Sequence, residues 1–577
     1  MCGIAGLLDH ARGADASAID AFTDALAHRG PDGRGTWVDG PVALGHRRLA
    51  ILDPTPQGAC PMRYTAPDGS TWHITFNGEI YNFLELREEL RAAGYVFHTE
   101  TDTEVIAAAW HRWGPACQLR FNGMWAFALW NARERTLVLS RDRFGVKPLY
   151  VSVWGSTIAF ASEIKAFLAL PAFPRALNRS AADIFFRNPA GYDGLTLDTA
   201  LQGVVRVPPG HTLTVTPAGT KGFERWWDTS AHLPEVPARY EEQAEAFRAL
   251  FLDSVRLRMR SDVPVGTSLS GGLDSSAVAS AMAFVAERHA GSLERCAADW
   301  QRTFIASFPG HPVDERAFAD IVVAHTGARP TYWNFDPVRA LPLLPASVQA
   351  LDDLSAAPAV PVMSIYGTMR EHGVVVTLDG HGGDELLAGY PWYRNVPLDQ
   401  LNALLSQDFH ATHLPAILRN YDGCSMARGV EVRSPFMDWR LVVFGMALPA
   451  SSKLDATYTK RILRDALTGI LPDAIRTRTS KFGFESPLVA WANGPLGAVL
   501  RAASQTEAWR DAPASAQAAQ IAALVAERTT GTPHFTEADR VPVAVAYRLL
   551  NYVLWCEQYL GAHDRALTTA LTTALAG

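Results

Sequence analysis

Cys2 can carry two chemistries at one position. Removal of Met1 before a small residue leaves Cys2 with a thiol and a free α-amine. An amine with an ordinary pKa of about 7.7–8.0 can act as the local base for that thiol, so no separate histidine is needed. Alone, a small residue near a chain start is unremarkable, but the motifs after it are not. Cys2-Gly3-Ile4-Ala5-Gly6 is followed by His28-Arg29-Gly30-Pro31-Asp32-Gly33 and His46-Arg47-Arg48-Leu49-Ala50-Ile51. Phe76-Asn77-Gly78-Glu79-Ile80-Tyr81-Asn82 and Thr101-Asp102-Thr103-Glu104 come next. Asn77 offers a side-chain N–H, and Gly78 a backbone N–H that a side chain would obstruct, to an oxyanion. Arg48 offers a planar fork to a carboxylate. Asp102 offers a charge to an ammonium. Each has a plainer reading. Asn77-Gly78 suits a type I′ hairpin turn, and Thr101-x-x-Glu104 a capping box. Asp102 suits a helix N-terminus, and Arg48 a surface ion pair.

A second group starts at Ser270-Gly271-Gly272-Leu273-Asp274-Ser275-Ser276, between an expected strand at 265–269 and an expected helix at 274–288. Glycines allow close backbone approach, and a helix N-terminus presents unpaired N–H groups to an anion. The serine hydroxyls add donors. There is no GxxxxGK[ST], so this is not a Walker loop. Asp274 would repel phosphate unless a cation lay between, which makes it a sensible Mg²⁺ ligand. A second glycine turn, Leu378-Asp379-Gly380-His381-Gly382-Gly383-Asp384-Glu385, adds the carboxylate of Asp384. Its plain reading is charge at a helix start.

The first series, in this order, resembles the class II glutamine amidotransferases, whose nucleophile is an N-terminal cysteine. That resemblance implies Cys2 as nucleophile and Asn77 with Gly78 as oxyanion hole. It implies glutamine binding by Arg48, Asn77, Gly78, Glu79 and Asp102. The SGGxDS motif resembles the pyrophosphate loop of ATP pyrophosphatases, which cleave ATP to AMP and pyrophosphate. Tyr421-Asp422-Gly423-Cys424-Ser425-Met426-Ala427, the run from Gly429 to Asp438, Lys460-Arg461-Ile462-Leu463-Arg464 and Arg476-x-Arg478-x-x-Lys481-x-Gly483-Phe484 are similar to the C-terminal half of glutamine-hydrolysing asparagine synthetases. The likeness runs from Cys2 to about Pro487. It implies ATP at Leu269, Ser270, Gly271, Gly272, Asp274, Ser275, Ser276, Asp379 and Gly380, and Mg²⁺ at Asp274 and Asp384. It places Lys481 against the phosphates and the adenylated intermediate. The implied reaction releases ammonia from glutamine in one site and passes it internally to a carboxylate activated as an acyl-adenylate in the other.

The likeness fails at one point. Asparagine synthetases resemble Ser-Gly-Glu-Gly-Ser-Asp-Glu at the second turn, whereas this chain places His381 at the glutamate and Asp379 at the first serine. A neutral imidazole can serve as a base near pH 7, or shape a pocket for another acceptor. Aspartate is the default acceptor. Gly380-His381-Gly382, with Ser434-Pro435-Phe436-Met437-Asp438-Trp439-Arg440-Leu441 downstream, looks closer to homologues of polysaccharide or specialised-metabolite pathways, which amidate acids such as sugar uronic acids. Relatives that close an amide within one molecule need no ammonia, and the intact Cys2, Arg48, Asn77 and Asp102 set argues against that reading. Two complete sites argue against an inactive regulatory or storage homologue. Relatives are often homodimers, so a second copy is the expected partner beside glutamine, ATP and a carboxylate acceptor.

The elements that must position these residues follow from composition and pattern. The chain has 577 residues, 48% apolar and 19% charged. Large buried cores are therefore expected, and a disordered or fibrous chain is excluded. A net charge of −7 with no basic run disfavours nucleic acid. No apolar stretch approaches the roughly 18 residues of a membrane span. Six cysteines, none within 50 residues of another, fit neither a zinc motif nor a disulfide scaffold, and a reducing cytoplasm is the expectation. The start lacks the basic region of a secretory signal. Residues 1 to about 215 read as short strands between Gly, Pro and Asp turns, interrupted by a helix after Asn82 and another at 103–113. Beyond 240, strands run through glycine turns into helices, the pattern of a parallel sheet. A helix is expected at 240–260, a short strand at 374–378 and a helix starting near Asp384. Residues 500–530 are Ala-rich and expected to be helical, and the end, 566–577, is low-complexity. The expected organisation is an α+β glutaminase domain of the N-terminal-nucleophile class, with layered antiparallel sheets and helices, at 1–227. A linker at 228–239 and an α/β parallel-sheet ATP-pyrophosphatase domain at 240–577 follow.

Overall fold

The computed structural model describes residues 2–171, 173–288, 294–480, 486–561, and positions 567, 569 and 571. The low-complexity end lies almost wholly outside them.

The N-terminal part stacks two six-stranded sheets. In one, the order is Val204–Arg206, Tyr150–Trp154, Thr157–Ala161, Gly3–Asp9, Val42–Arg48, Gly33–Asp39. In the other it is Gly219–Arg225, His211–Thr216, Thr136–Arg141, Gly123–Asn131, Thr71–Ile80, Met62–Thr65. Every pairing in both is antiparallel. Alternation along the strands sends Ile4, Leu8, Val42 and Leu44 inward against Ala126, Ala128, Trp130, Leu137 and Leu139, a dry layer between the sheets. Ala5 and Leu7 face the other way, against Ile19 and Phe22 of the helix Ala16–Asp24. Asp15 caps that helix by accepting from Ser17 N at 2.8 Å.

The two expected helices form at Phe83–Ala92 and Thr103–Trp113, and Gly94 and Gly114, both at positive φ, end them. Two local readings give way to the structure. Asn77-Gly78 is not a turn. It lies inside the ten-residue strand Thr71–Ile80, with Asn77 opposite Ala126 and Gly78 opposite Trp125. A Cβ on Gly78 would sit 2.1 Å from Met124 O, so it is the neighbouring strand that excludes a side chain there. Nor do Thr101 and Glu104 form a capping box. The Glu104 carboxylate turns back to accept from His98 N at 3.0 Å and Thr99 N at 2.9 Å.

The C-terminal part holds a five-stranded parallel sheet in the order Arg329–Asn334, Arg302–Ser307, Val265–Ser268, Val376–Leu378, Glu431–Arg433. Val265–Ser268 and Val376–Leu378 are adjacent, so the turns that leave them meet at one end, where parallel sheets form ligand clefts. The helix Leu273–Arg288 follows the first strand, but the expected helix near Asp384 is only a single turn, Gly383–Leu386. The expected helix at 240–260 forms as Tyr240–Arg258. Residues 500–530 fall in three helices, Pro495–Ala503, Glu507–Arg510 and Ser515–Arg528. Trp491, Leu500, Trp509 and Leu550 pack into one core with Ile19, Phe22, Phe167 and Phe185. Thr229 is buried and Ala231 to Glu235 are exposed. Among the described residues no helix is long and apolar enough to cross a membrane.

Gly78→Ala tests the close approach. It should destabilise the fold by about 1–3 kcal/mol through overpacking, seen as a lower urea midpoint without a changed slope. An unchanged midpoint would contradict the contact.

Candidate active sites

The first site lies in a small cavity whose lining includes Cys2, His46, Arg48, Gly78, Glu79 and Asp102. The sheets bring these together because the start of the strand Gly3–Asp9, just after Cys2, and the end of the strand Val42–Arg48 lie over the strand carrying Asn77 to Glu79. The Cys2 backbone nitrogen, which becomes the α-amine once Met1 is removed, donates to Asn77 Oδ1 at 3.0 Å. That bond turns the Asn77 amide, and its fully buried Nδ2 has no hydrogen-bond partner among the described residues. A buried donor without an acceptor is costly unless a ligand atom satisfies it. Burial pushes the Cys2 thiol up, against the pull of the Leu49 N–H and of Arg48. A thiol held protonated needs a base beside it.

Asp102 is held by Ile80 N, which donates to its Oδ2 at 2.8 Å, and burial pushes its carboxyl up to about 6. Burial also drives His46 down to about 3, so the imidazole, 3.0 Å from Thr75 Oγ1, stays neutral. Arg48 sits on the cavity wall with its guanidinium spent on backbone carbonyls, at 2.7 Å to Thr55 O and closer to Asp53 O. Among the described residues it makes no ion pair. Gly58 leaves it room, since a Cβ there would lie 2.1 Å from Arg48 Nη2. Glu79 is buried and raised well above the usual carboxylate range by burial and by Glu431, with Arg433 at 3.2 Å.

The second cavity, about 320 Å³, opens where the two glycine turns meet. Gly271 takes φ +82°, and a Cβ there would lie 2.7 Å from Ala319 N. Gly272 N donates to Ser270 Oγ at 3.2 Å, and Ser270 Oγ lies 3.0 Å from Ser275 Oγ, so the loop is tied before any ligand arrives. Gly380 and Gly383 press on Asp274: Cβ atoms on them would lie 2.7 Å from Asp274 Cβ and 2.8 Å from its Oδ1. Of the residues expected at ATP, Ser270, Gly272, Asp274, Ser275, Asp379 and Gly380 line this cavity. Leu269, Gly271 and Ser276 are not on its wall. Leu269 and Ser276 are buried behind it, and Gly271 packs on the helix Arg316–Thr326. Asp379 accepts from Tyr366 Oη and Thr377 Oγ1, both at 2.7 Å. His381 reaches the cavity with its ring centroid 3.8 Å from that of Tyr421, and burial lowers its pKa. Glu385, on the same wall, is raised to about 7 by burial and by Asp384, and accepts from Tyr390 Oη at 2.5 Å.

Lys460 is the residue that sequence reasoning passed over. Its buried Nζ lies 2.6 Å from Asp384 Oδ1 and in contact with Asp274 Oδ2. Its backbone takes φ 52°, a region that a non-glycine residue enters only under constraint. Gly389 makes the space, since a Cβ there would lie 1.9 Å from Asp384 Oδ1 and 2.1 Å from Lys460 Cε. The signal lay in the Lys460-Arg461-Ile462-Leu463-Arg464 stretch, but nothing in the sequence ranks Lys460 above Lys481. Lys481 lies outside the described residues. Arg478 closes the same end, donating to Gly271 O at 3.2 Å and pairing with Glu315 at 2.5 Å. Two carboxylates converging on one cationic atom form an all-oxygen donor set of the kind Mg²⁺ prefers.

The sequence profile of a glutamine amidotransferase domain matches residues 1–227, and that of asparagine synthase matches 246–406 and 396–547. Asparagine synthetase [glutamine-hydrolyzing] 1 of Bacillus subtilis is 30% identical over 605 residues, covering 88% of this chain and 91% of its own. Asparagine synthetase [glutamine-hydrolyzing] 3 of the same organism is 30% identical, covering 83% and 86%. The chain belongs to the glutamine-hydrolysing asparagine synthetase family. Amidase chry2 of Gibberella zeae is 29% identical over 68% of this chain and 60% of its own. Membership of the asparagine synthetase family fits two cavities in one chain, one with a cysteine and the other with two glycine turns.

Two outcomes follow. Asp102 is charged only above its raised pKa, so if it holds the substrate ammonium, KM for glutamine should rise as pH falls through about 6. Asp102→Asn should remove that dependence, and a wild-type KM that is flat from about pH 7 to 5 would contradict it. Lys460→Met should lower pyrophosphate release by about 10²–10³-fold while sparing glutamate release, as loss of a charge at a phosphate site does.

Proposed function

We propose that this chain is a glutamine-dependent, ATP-consuming amidotransferase that converts an acceptor carboxylate to its amide, with aspartate as the default acceptor. The observation that carries the reading is the Asn77 Nδ2 beside Cys2, without a hydrogen-bond partner among the described residues, in a chain that also brings Asp274, Asp384 and Lys460 together.

In the first site the freed amine of Cys2 takes the thiol proton, and the thiolate attacks the side-chain amide of glutamine. Asn77 Nδ2 and the Gly78 N–H face the developing oxyanion. Arg48 holds the substrate carboxylate, Asp102 its ammonium, and Glu79 completes the wall. Water then releases glutamate, so glutamine and water give glutamate and ammonia. Ammonia stays internal, because in neutral water it is mostly protonated and not nucleophilic.

In the second site the loop from Leu269 to Ser276, with Asp379 and Gly380, holds ATP with its phosphates at the start of the helix Leu273–Arg288. Asp274 and Asp384 would hold Mg²⁺, which supplies positive charge to the pyrophosphate leaving group. The acceptor carboxylate displaces pyrophosphate to form an acyl-adenylate. Ammonia then displaces AMP, and one proton is released. Lys460 sets its charge beside Asp274 and Asp384, and Lys481 acts on the phosphates as well. Neutral His381 takes the proton from the attacking nitrogen.

One observation favours a second acceptor. The His381 ring lies tilted against Tyr421 where the family resemblance calls for a glutamate, so this point of the wall offers an imidazole and a phenol ring. A non-aspartate acid, such as a sugar uronic acid, suits such a wall.

The test is pyrophosphate and amide formation with ATP, Mg²⁺ and glutamine, with and without aspartate. Aspartate-dependent pyrophosphate with asparagine formed is the expected result. Glutamate release without it would move the reading to the other acids. Cys2→Ala should lose glutamine-supported turnover by about 10³-fold or more yet keep turnover with ammonium chloride. Equal loss with both donors would overturn the division of labour.

A further inference from the structure

The helix Leu414–Met426 carries a stripe that leads out of the second cavity. Ile417 and Tyr421 line the cavity, and His413 caps the start of the helix four residues before Ile417. Residues four apart share a helix face, so Tyr421, Ile417 and His413 follow one another away from His381. Eight residues of helix rise roughly 12 Å. A second row runs beside the first. Glu385 and Tyr390 are on the cavity wall, and Trp392 lies on the Tyr390 ring, with centroids 4.2 Å and planes 13° apart. The two rows meet at their outer ends. The His413 ring centroid is 5.7 Å from that of Trp392 and 6.1 Å from that of Tyr390.

These rings are anchored from below. The buried Asp408 accepts from Tyr393 Oη at 2.6 Å and bonds His413 Nδ1 at 2.9 Å. Tyr393 is fully buried, and its ring centroid lies 5.7 Å from that of Trp392. Tyr390 Oη is held by Glu385. Trp392 is nevertheless 45% exposed. With Tyr390 against one face, that exposure falls on the other face and the rim. A single exposed apolar side chain is ordinary. This one ends two rows that begin in a substrate cavity, and it is fixed in place before any ligand arrives.

We propose that Trp392 is a specificity-determining platform for the acceptor, a saccharide whose uronic acid residue enters the second cavity while the next sugar ring rests on Trp392. This rests on the amidotransferase reading and names the acceptor class it takes beyond aspartate. The first ground is length. At about 1.5 Å per C–C bond, aspartate spans roughly 5 Å, and one pyranose ring spans little more. An acceptor with its carboxyl beside His381 therefore needs a second ring to reach Trp392. The second ground is polarity. A platform open on one side suits a ligand that is apolar on one face and polar elsewhere. A pyranose can rest its axial C–H groups on the indole and keep its hydroxyls in water. A fatty or aromatic acyl group would leave its far side exposed to water at a cost.

The test measures amide formation by the full chain with ATP, Mg²⁺ and ammonium chloride, so that it does not depend on Cys2. The acceptors are aspartate, then glucuronic, galacturonic and mannuronic acids, each alone and β-1,4-linked to glucose. At least one disaccharide should show kcat/KM about tenfold or more above its own monosaccharide and above aspartate, chiefly through KM. Trp392→Ala should remove about tenfold of that advantage by raising KM for the disaccharide, and Trp392→Phe, which keeps a flat face, should hold most of it. Saturation-transfer NMR of the wild type, with aromatic protons irradiated, should light the C–H protons of the glucose ring. That measurement decides the matter if Trp392→Ala does not fold by thermal melting. Disaccharides no better than their monosaccharides, a Trp392→Ala protein that keeps the advantage, or no transfer to the glucose ring would overturn the inference alone. No amide and no pyrophosphate with aspartate or any of these acids would overturn the amidotransferase reading, and this inference with it.

Discussion

Several charges buried at the seam between the two halves find partners on the opposite side. Arg29 and Lys147 meet Asp422, Arg433 meets Glu79, Arg206 meets Asp353, and Arg419 meets Asp193. Removing one member of such a pair leaves an uncompensated buried charge, at a cost of about 3–5 kcal/mol. Neither half can therefore present this surface to the other in a different register. The apolar cores obey the same constraint. Phe76 and Trp125 of the first half share a cluster with Phe251 and Leu378 of the second. The two cavities are held at a set separation by polar pairs that specify register and by apolar contacts that supply most of the driving force.

Within each half, glycine placement decides how closely backbone can approach chemistry. Gly78 lets one strand lie against its neighbour at the position that aims Asn77 at Cys2. Gly380 and Gly383 let the second turn rest on Asp274, and Gly389 gives Lys460 its space. These contacts convert two separated motifs into one cavity. They also explain why an αL lysine is tolerated: the surrounding backbone over-determines it.

Much of the fold was legible from pattern. The helices at Phe83–Ala92, Thr103–Trp113 and Leu273–Arg288 follow from apolar spacing and glycine stops. The parallel sheet follows from strands running through glycine turns into helices. Local rules failed where tertiary contacts outweighed them. Asn77-Gly78 has turn chemistry, yet pairing with Gly123–Asn131 on one side keeps it extended. Glu104 has capping-box spacing, yet the loop amides at His98 and Thr99 are nearer acceptor-seeking groups. The helix expected near Asp384 shrinks to one turn, since the chain turns at Ala388 with φ 58° and then runs Gly389 close against Asp384 and Lys460.

By itself, the sequence determined the kinds of groups available: a cysteine able to carry its own base, an amide donor, a fork, two glycine-rich turns and two aspartates. Residue type and short-range order are enough for that, because each group's chemistry belongs to its own side chain. Only the tertiary structure decided which of them meet. It put Lys460 between Asp274 and Asp384, placed Leu269 and Ser276 behind the cavity wall, and turned the Arg48 fork onto loop carbonyls. It also set Arg29 across the seam, 393 residues from the carboxylate it holds. The physical reason is range. Ion pairs and hydrogen bonds act over a few ångströms of space, and no local spacing rule encodes which distant stretches of chain packing will bring that close.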